Sequence, residues 1–178
     1  MGILSNLLKK NYANHLQKYL STHKINRSSV TWDEVKSIGI IFNGLDSNLN
    51  NEILNFIKKS KNQGLNVKAL AFVNKKTVTS NLIYDTFTSK DISLAKVPNL
   101  ESLNGFHTTQ FDILINFYNE GFMPLEYISI ISKAKMRIGL LGTNIECSDL
   151  IVGNLESKSF NDLITSSKKI MNRMTVGA

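Results

Sequence analysis

Short apolar runs separated by more polar stretches form the main pattern of the chain from about residue 35 onward. Four of them, at residues 35–42, 67–73, 111–117 and 136–141, have the length and the β-branched or aromatic content of buried strands. A fifth, shorter run lies at residues 150–152. Because most of these runs are apolar throughout, they predict a mostly parallel sheet that is covered on both faces.

The stretches between the strands predict helices. Residues 47–63 and 160–174 carry apolar residues at three- and four-residue spacing, and Pro124 suits the first turn of a third helix. Gly64 stands where a helix-ending glycine belongs. The alternation indicates an α/β fold with helices on both faces of the sheet, a three-layer sandwich of the Rossmann-like or flavodoxin-like kind.

Two regions do not follow this alternation. Residues 77–105 are compatible with a strand at 82–87 and with a strand or a turn at 91–94, and Pro98 breaks any long element. Residues 3–22 predict an additional amphipathic helix, which we expect to pack across the sheet or one of its edges. A helix that lies on a membrane surface or binds a partner is the alternative.

Composition indicates one globular domain over residues 1–178, with the basic helix and connection of residues 1–30 packed on it. The chain has 178 residues, of which 42% are hydrophobic and 20% charged. Cys147 is the single cysteine, so no internal disulfide can form, and this fits a reducing compartment. No apolar stretch reaches the roughly 18 residues of a membrane span, and we expect a cytoplasmic protein.

Positive charge is concentrated at the start of the chain. The net charge is +7, and five basic residues precede Asp33, the first acidic residue: Lys9, Lys10, Lys18, Lys24 and Arg27. Such a basic region can attract an anionic partner, either a nucleic acid or an anionic membrane surface. A solvated, lysine-rich surface is the simpler interpretation, so nucleic acid is not the favoured partner.

The familiar catalytic motifs are missing from the sequence. It contains no glycine-rich nucleotide loop, no Gly-x-Ser-x-Gly turn and no Cys/His cluster with metal-ligand spacing, so we expect neither a cofactor nor a metal. Polar residues at the ends of the predicted strands remain as ligand-binding candidates: Asn43, Gly44, Asp46, Lys75, Asn116, Glu120 and Asn144. In a parallel sheet they would share one rim. Turn and helix-cap roles explain the same residue types.

Three hypotheses about function follow. The leading one is a non-enzymatic cytoplasmic protein that binds a partner protein or a small anionic ligand at the rim. The first alternative is a small enzyme acting on a nucleotide or sugar phosphate, with Asn43, Asp46, Asn116 and Glu120 in its site. The second is a nucleic-acid or membrane-surface binder that uses the basic N-terminal helix. A homodimer is compatible with all three.

Three segments carry a resemblance to a known family. They are Phe111-Asp-Ile-Leu-Ile-Asn-Phe-Tyr, Pro124-Leu-Glu-Tyr-Ile and Ser132-Lys-Ala-Lys-Met-Arg-Ile-Gly139. Together with the opening helix and the Ile-Gly-Ile-Ile-Phe strand, they resemble an uncharacterised family of small bacterial proteins found mainly in Bacteroidetes. The resemblance implies an α/β fold and carries no activity.

Overall fold

The protein folds around a single sheet of six parallel strands. The structure is a computed structural model, and it describes residues 3–45, 47–73, 82–118, 121–153 and 159–174. The strands are β1 (Ser37–Asn43), β2 (Asn66–Phe72), β3 (Asp85–Phe87), β4 (Ile113–Phe117), β5 (Met136–Leu140) and β6 (Leu150–Val152). The predicted α/β architecture with a parallel sheet is confirmed.

The strand order is β3-β2-β1-β4-β5-β6, so the chain builds the sheet outward from its centre in two directions. It first steps from β1 to β2 and β3, and then returns to place β4 on the other side of β1. β1 and β4 are therefore neighbours at the centre of the sheet, with β2 and β3 added on the side of β1 and β5 and β6 on the side of β4. In open α/β sheets, such a point opens a crevice at the carboxyl ends of the strands.

Helices cover both faces of the sheet, as its apolar strands require. On one face, α2 (Ser47–Asn62) and α4 (Phe160–Arg173) bury Ile53, Ile57, Leu163 and Met171 against alternate residues of the strands. On the other face, α3 (Met123–Ile131) buries Leu125 and Ile128 together with side chains of the segment before β4. Alternate residues of β1 illustrate the division, since Ile40 faces the first layer and Ile41 the second.

The N-terminal helix α1 (Ile3–Thr22) forms an additional layer on α3. Its Tyr12, Leu16 and Tyr19 pack against Tyr127 and Ile131, and the rings of Tyr12 and Tyr127 meet edge to face at 5.6 Å. The expectation that this helix packs across the sheet or an edge was therefore wrong. α3 already covers that part of the sheet, and its outer side offers the apolar surface that α1 buries.

Residues 82–112, the described part of the segment that leads up to β4, contain little regular structure. Beyond β3 this part consists of three short 3₁₀ helices, Ser89–Asp91, Leu100–Leu103 and Phe106–Thr108, and an isolated antiparallel bridge between Ile92 and Pro98. Leu103 and Phe106 are fully buried in the layer beneath α3. This segment thus fills the place at which a longer helix would cover the sheet.

Candidate functional site

A pocket of about 400 Å³ opens at the carboxyl end of the sheet, on the side of α3. We call it the Phe72 pocket. Its walls come from the end of β2, from the loop after β3 and from the start of α3: Phe72, Ser89, Ile92, Ser93, Leu94, Lys96, Gly121, Phe122, Met123 and Pro124. Because the last four follow β4, the pocket lies beside the point where the strand order reverses.

Aromatic side chains form part of the wall of the Phe72 pocket. The rings of Phe72 and Phe122 are tilted against each other with centroids 4.8 Å apart. Phe72 also meets Phe87 of β3 edge to face at 5.5 Å. Phe87 is buried, whereas Phe72 and Phe122 stay partly open. The pair can therefore offer ring surface to a bound molecule without disturbing the core beneath it.

Lys96 carries the charge among the described residues that line the Phe72 pocket. A tight turn positions it: the backbone amide of Lys96 donates to the carbonyl oxygen of Ser93 at 2.9 Å, and the amide of Ser93 donates to Val97 at 2.9 Å. Lys96 has φ = 64°, a conformation that residues other than glycine adopt infrequently. The turn thus fixes the base of a cationic side chain at the pocket edge.

The start of α3 is tied down next to the pocket. The carboxylate of Glu126 turns back along the helix and accepts a 2.8 Å hydrogen bond from the amide of Gly121. Gly121 has φ = 86°, which suits glycine, and Pro124 occupies the first turn as predicted. This local arrangement holds Phe122 in place as one wall of the pocket.

A second polar group of interest is buried behind β4. The Nδ2 of Asn116 donates to the carbonyl oxygen of Cys147 at 2.6 Å, and the Ser129 hydroxyl donates to the same oxygen at 2.8 Å. The Oδ1 of Asn116 is buried and has no partner among the described residues. Burial raises the pKa of the Cys147 thiol to about 12, and burial also raises the pKa of the neighbouring Tyr118 hydroxyl. These groups are neutral and enclosed, so they hold the fold rather than face a ligand.

Several of the predicted ligand-binding residues have local structural roles. Asn43 ends β1 and its Oδ1 accepts from the Leu45 amide at 3.3 Å, while the Gly44 amide donates to Phe72 at 2.8 Å. Asn144 caps a 3₁₀ helix (Ile145–Cys147) by accepting from the Glu146 amide at 3.0 Å. Asn116 is fully buried. Asp46, Lys75 and Glu120 lie outside the described residues.

The predicted basic residues divide into two groups. Lys9, Lys10, Lys18 and Lys24 are exposed. Arg27 is half-buried, and its guanidinium donates to the carbonyl oxygens of Ala134 and Ile130 at the end of α3. It also lies 4.0 Å from Asp149. Burial and the nearby Arg137 lower the pKa of Arg27 to about 10, so it remains charged at neutral pH.

Sequence reasoning did not find the Phe72 pocket. Its residues come from three places far apart in the chain, and one of them is the segment of residues 77–105, for which the pattern left strand and turn open. Pro124 was recognised only as a helix-starting residue. The one usable indication was the predicted helix start directly after a strong strand, which places Phe122 and Met123 at the carboxyl rim.

Across residues 3–45, 47–73, 82–118, 121–153 and 159–174, no three His, Cys, Asp or Glu side chains gather in a way that could hold a metal ion. Within the same ranges, no helix combines the length and the apolar character that crossing a membrane requires.

The fold defines the chain as an α/β protein with an all-parallel, six-stranded sheet and a pocket at the carboxyl end of its strands. The chain belongs to the Family of unknown function (DUF6913), whose family model matches residues 8–174. The match therefore extends from α1 to the end of α4. Comparison with curated proteins finds no match.

Proposed function

We propose that this protein binds a small anionic ligand with an apolar body in the Phe72 pocket, and that it acts by binding rather than by catalysis. The observation that carries the proposal is the composition of the pocket wall. Apolar and aromatic side chains surround a single cation, Lys96, among the described lining residues. Ligand pockets combine an apolar lining with a few placed polar groups in this way, and the volume falls in their usual range of roughly 300–1,000 Å³.

Each part of the pocket has a complementary part in such a ligand. A ring or a short aliphatic chain would lie against the partly open ring surfaces of Phe72 and Phe122, where apolar surface is removed from water. A carboxylate or phosphate at its end would meet the ammonium group of Lys96. Leu94 lines the same pocket with 86% of its surface exposed in the free protein, so a ligand would cover it.

The test is a thermal-shift screen of the purified protein against nucleotides, sugar nucleotides, sugar phosphates and aromatic carboxylates, followed by calorimetric titration of the hits. A ligand present at about 100 times its Kd stabilises the folded state by about 2.7 kcal/mol, which is readily measured. We expect hits that combine an apolar body with an anionic group and that persist at moderate salt.

Two variants locate the binding. Lys96→Asn removes the charge and suits the positive φ of that position, so it should fold normally and weaken binding by about fivefold. Leu94→Ser should also weaken binding, since the side chain is exposed and makes little contribution to the core. Lys90→Asn is the matched control, because Lys90 is exposed nearby and does not line the pocket.

The remaining hypotheses are outcomes of the same experiment. Hits that bind equally well to Lys96→Asn and Leu94→Ser would place the ligand elsewhere and refute the proposal. A hit that is chemically converted, with conversion lost in Asp46→Ala and Glu120→Ala, would establish the enzyme instead. A screen without any hit would also refute the proposal and favour a protein partner. The single buried thiol, Cys147, supports a reducing, cytoplasmic location for any of these roles.

A further inference from the structure

The outward side of α1 lacks a continuous apolar surface. Its aromatic and aliphatic residues Tyr12, Leu16 and Tyr19 are already packed on α3. Of the leucines that remain exposed, Leu4 and Leu7 lie together in the first two turns. A helix that lies in a membrane surface needs an apolar face along most of its length. The exposed side of α1 is therefore suited to a polar partner.

The exposed side of α1 and the residues after it are basic and acid-free. Lys9, Lys10, Lys18 and Lys24 are exposed, and no acidic residue precedes Asp33. Among the described residues, none of these four lysines forms an ion pair. Lys9 and Lys10 also lie in the N-terminal half of the helix, where the helix dipole gives cations no stabilisation. Helix stability therefore does not explain their presence.

Amide side chains lie next to and between these lysines. Four of them on α1 are exposed: Asn6, Asn11, Asn14 and Gln17. In complexes with nucleic acids, lysine, asparagine and glutamine side chains supply many of the contacts to phosphate oxygens. The charged and hydrogen-bonding groups on this side of α1 thus match the phosphate backbone of a nucleic acid better than a lipid bilayer.

We propose that the outward side of α1 binds the phosphate backbone of a nucleic acid without reading its sequence. Lys9, Lys10 and Lys18 on α1 and Lys24 directly after it would each neutralise a phosphate, and the neighbouring amides would hydrogen-bond to the backbone. Arg27 does not take part, because its guanidinium is engaged with the end of α3. This site is independent of the Phe72 pocket, and neither proposal requires the other.

The test measures binding of a fluorescein-labelled DNA duplex of about 20 base pairs, and of a single-stranded RNA of similar length, by fluorescence anisotropy at several salt concentrations. Four phosphate contacts predict a slope of about −3.6 for the logarithm of the binding constant against that of salt on the duplex. Affinity should then fall about 150-fold between about 50 and 200 mM salt. A single strand should give a shallower slope, about −2.8.

Two triple variants of equal net charge distinguish binding by this surface from binding that depends only on the overall charge of the protein. Lys9→Gln/Lys10→Gln/Lys18→Gln should reduce the magnitude of the duplex slope by about 2.7, which leaves about one contact. Lys58→Gln/Lys59→Gln/Lys61→Gln removes three exposed lysines from α2 and should leave the slope nearly unchanged. Glutamine is as good a helix former as lysine, so both variants should fold, and far-ultraviolet circular dichroism checks that they do.

Three results would overturn the proposal. The first is no binding of either nucleic acid by the folded protein at low salt. The second is an equal loss in the two triple variants, which would assign the binding to overall charge. The third is binding to vesicles rich in phosphatidylserine without binding to nucleic acid, abolished by Leu4→Gln/Leu7→Gln, which would assign α1 to a membrane surface instead.

Discussion

The hydroxyl of Tyr12 donates a hydrogen bond to the carbonyl oxygen of Met123, with the two atoms 3.2 Å apart. This contact joins α1 to the first turn of α3 across 111 positions of the sequence. Met123 also lines the Phe72 pocket. The N-terminal helix therefore holds one wall of the pocket from behind, although it does not itself line the pocket.

Replacing Tyr12 with phenylalanine should loosen α1. The ring contact with Tyr127 would persist, while the carbonyl of Met123 would lose the hydrogen bond from the Tyr12 hydroxyl, at a cost of about 1 kcal/mol. Burial raises the pKa of Tyr12, so the hydroxyl stays protonated as a donor well into the alkaline range. Urea unfolding should show the loss, and hydrogen exchange should quicken within α1. Gln17→Ala, on the exposed side, is the control and should change neither.

Asp112 ties the start of β1 to the start of β4. Its Oδ2 accepts hydrogen bonds from the Lys36 and Ser37 amides, both at 2.9 Å, and its Oδ1 accepts from the Lys135 ammonium at 2.8 Å. Burial alone would raise the pKa of Asp112, but these hydrogen bonds outweigh it and lower the pKa to about 2. The carboxylate is thus favoured in the folded state.

Asp112→Asn should reduce the free energy of unfolding at neutral pH by about 2 kcal/mol, because charge-assisted hydrogen bonds are lost. The ordinary pKa of an aspartate is 3.8, so the wild type retains this stabilisation above about pH 4 and loses it as the pH falls toward 2. The two proteins should therefore converge in stability on acidification. Urea titrations at a series of pH values measure this, and a constant difference would contradict it. Asp33→Asn, at an exposed site, is the control.

Arg27 stabilises the end of α3 and the turn that follows it by donating to the carbonyl oxygen of Ile130 in the last turn and to that of Ala134 just beyond the helix. Arg27→Ala should lower the midpoint of thermal unfolding, since a cation at a helix C-terminus and two hydrogen bonds are lost together. The unfolding midpoint of Arg27→Lys should lie between those of the wild type and Arg27→Ala, because a single ammonium cannot reproduce the planar pair of donors. Lys24→Ala removes an exposed charge nearby and should have little effect. Equal losses in Arg27→Ala and Lys24→Ala would show that the contacts contribute nothing.

The long elements were predictable because the pattern of apolar and polar residues in each one indicates which of its faces are buried. β1 is apolar over most of its length, so it requires cover on both faces, and the amphipathic spacing of α4 allows burial on one side only. The strand considered possible at residues 82–87 is present in shorter form, since β3 spans Asp85–Phe87. The docking of α1 on α3 was not predicted, although the α3 sequence has only Glu126 and Ser129 as polar residues, a composition typical of a helix buried on more than one side.

The parallel sheet made the rim of strand ends predictable, but not the side chains that form a pocket there. Strand ends do meet at one rim, yet Asn43 and Asn144 there are used for turns and caps. Phe72, by contrast, resembles any other buried strand residue, and only the tertiary fold brings it beside Phe122. Long-range contacts of this kind have no signature within a short window of sequence.

The thiol of Cys147 should be almost unreactive toward thiol reagents in the folded protein. Cys147 is fully buried, and burial raises the pKa of its thiol to about 12. Near pH 8 a reagent therefore cannot reach the sulfur, and the thiol is protonated. We expect a disulfide reagent such as dithiobis-nitrobenzoate to react slowly with the native chain and completely after unfolding in urea, with Cys147→Ala as the blank. The rate should follow global unfolding, so Asp112→Asn should accelerate labelling as it lowers stability. Rapid labelling of the native wild type would show instead that the polar group around Asn116 opens to solvent locally.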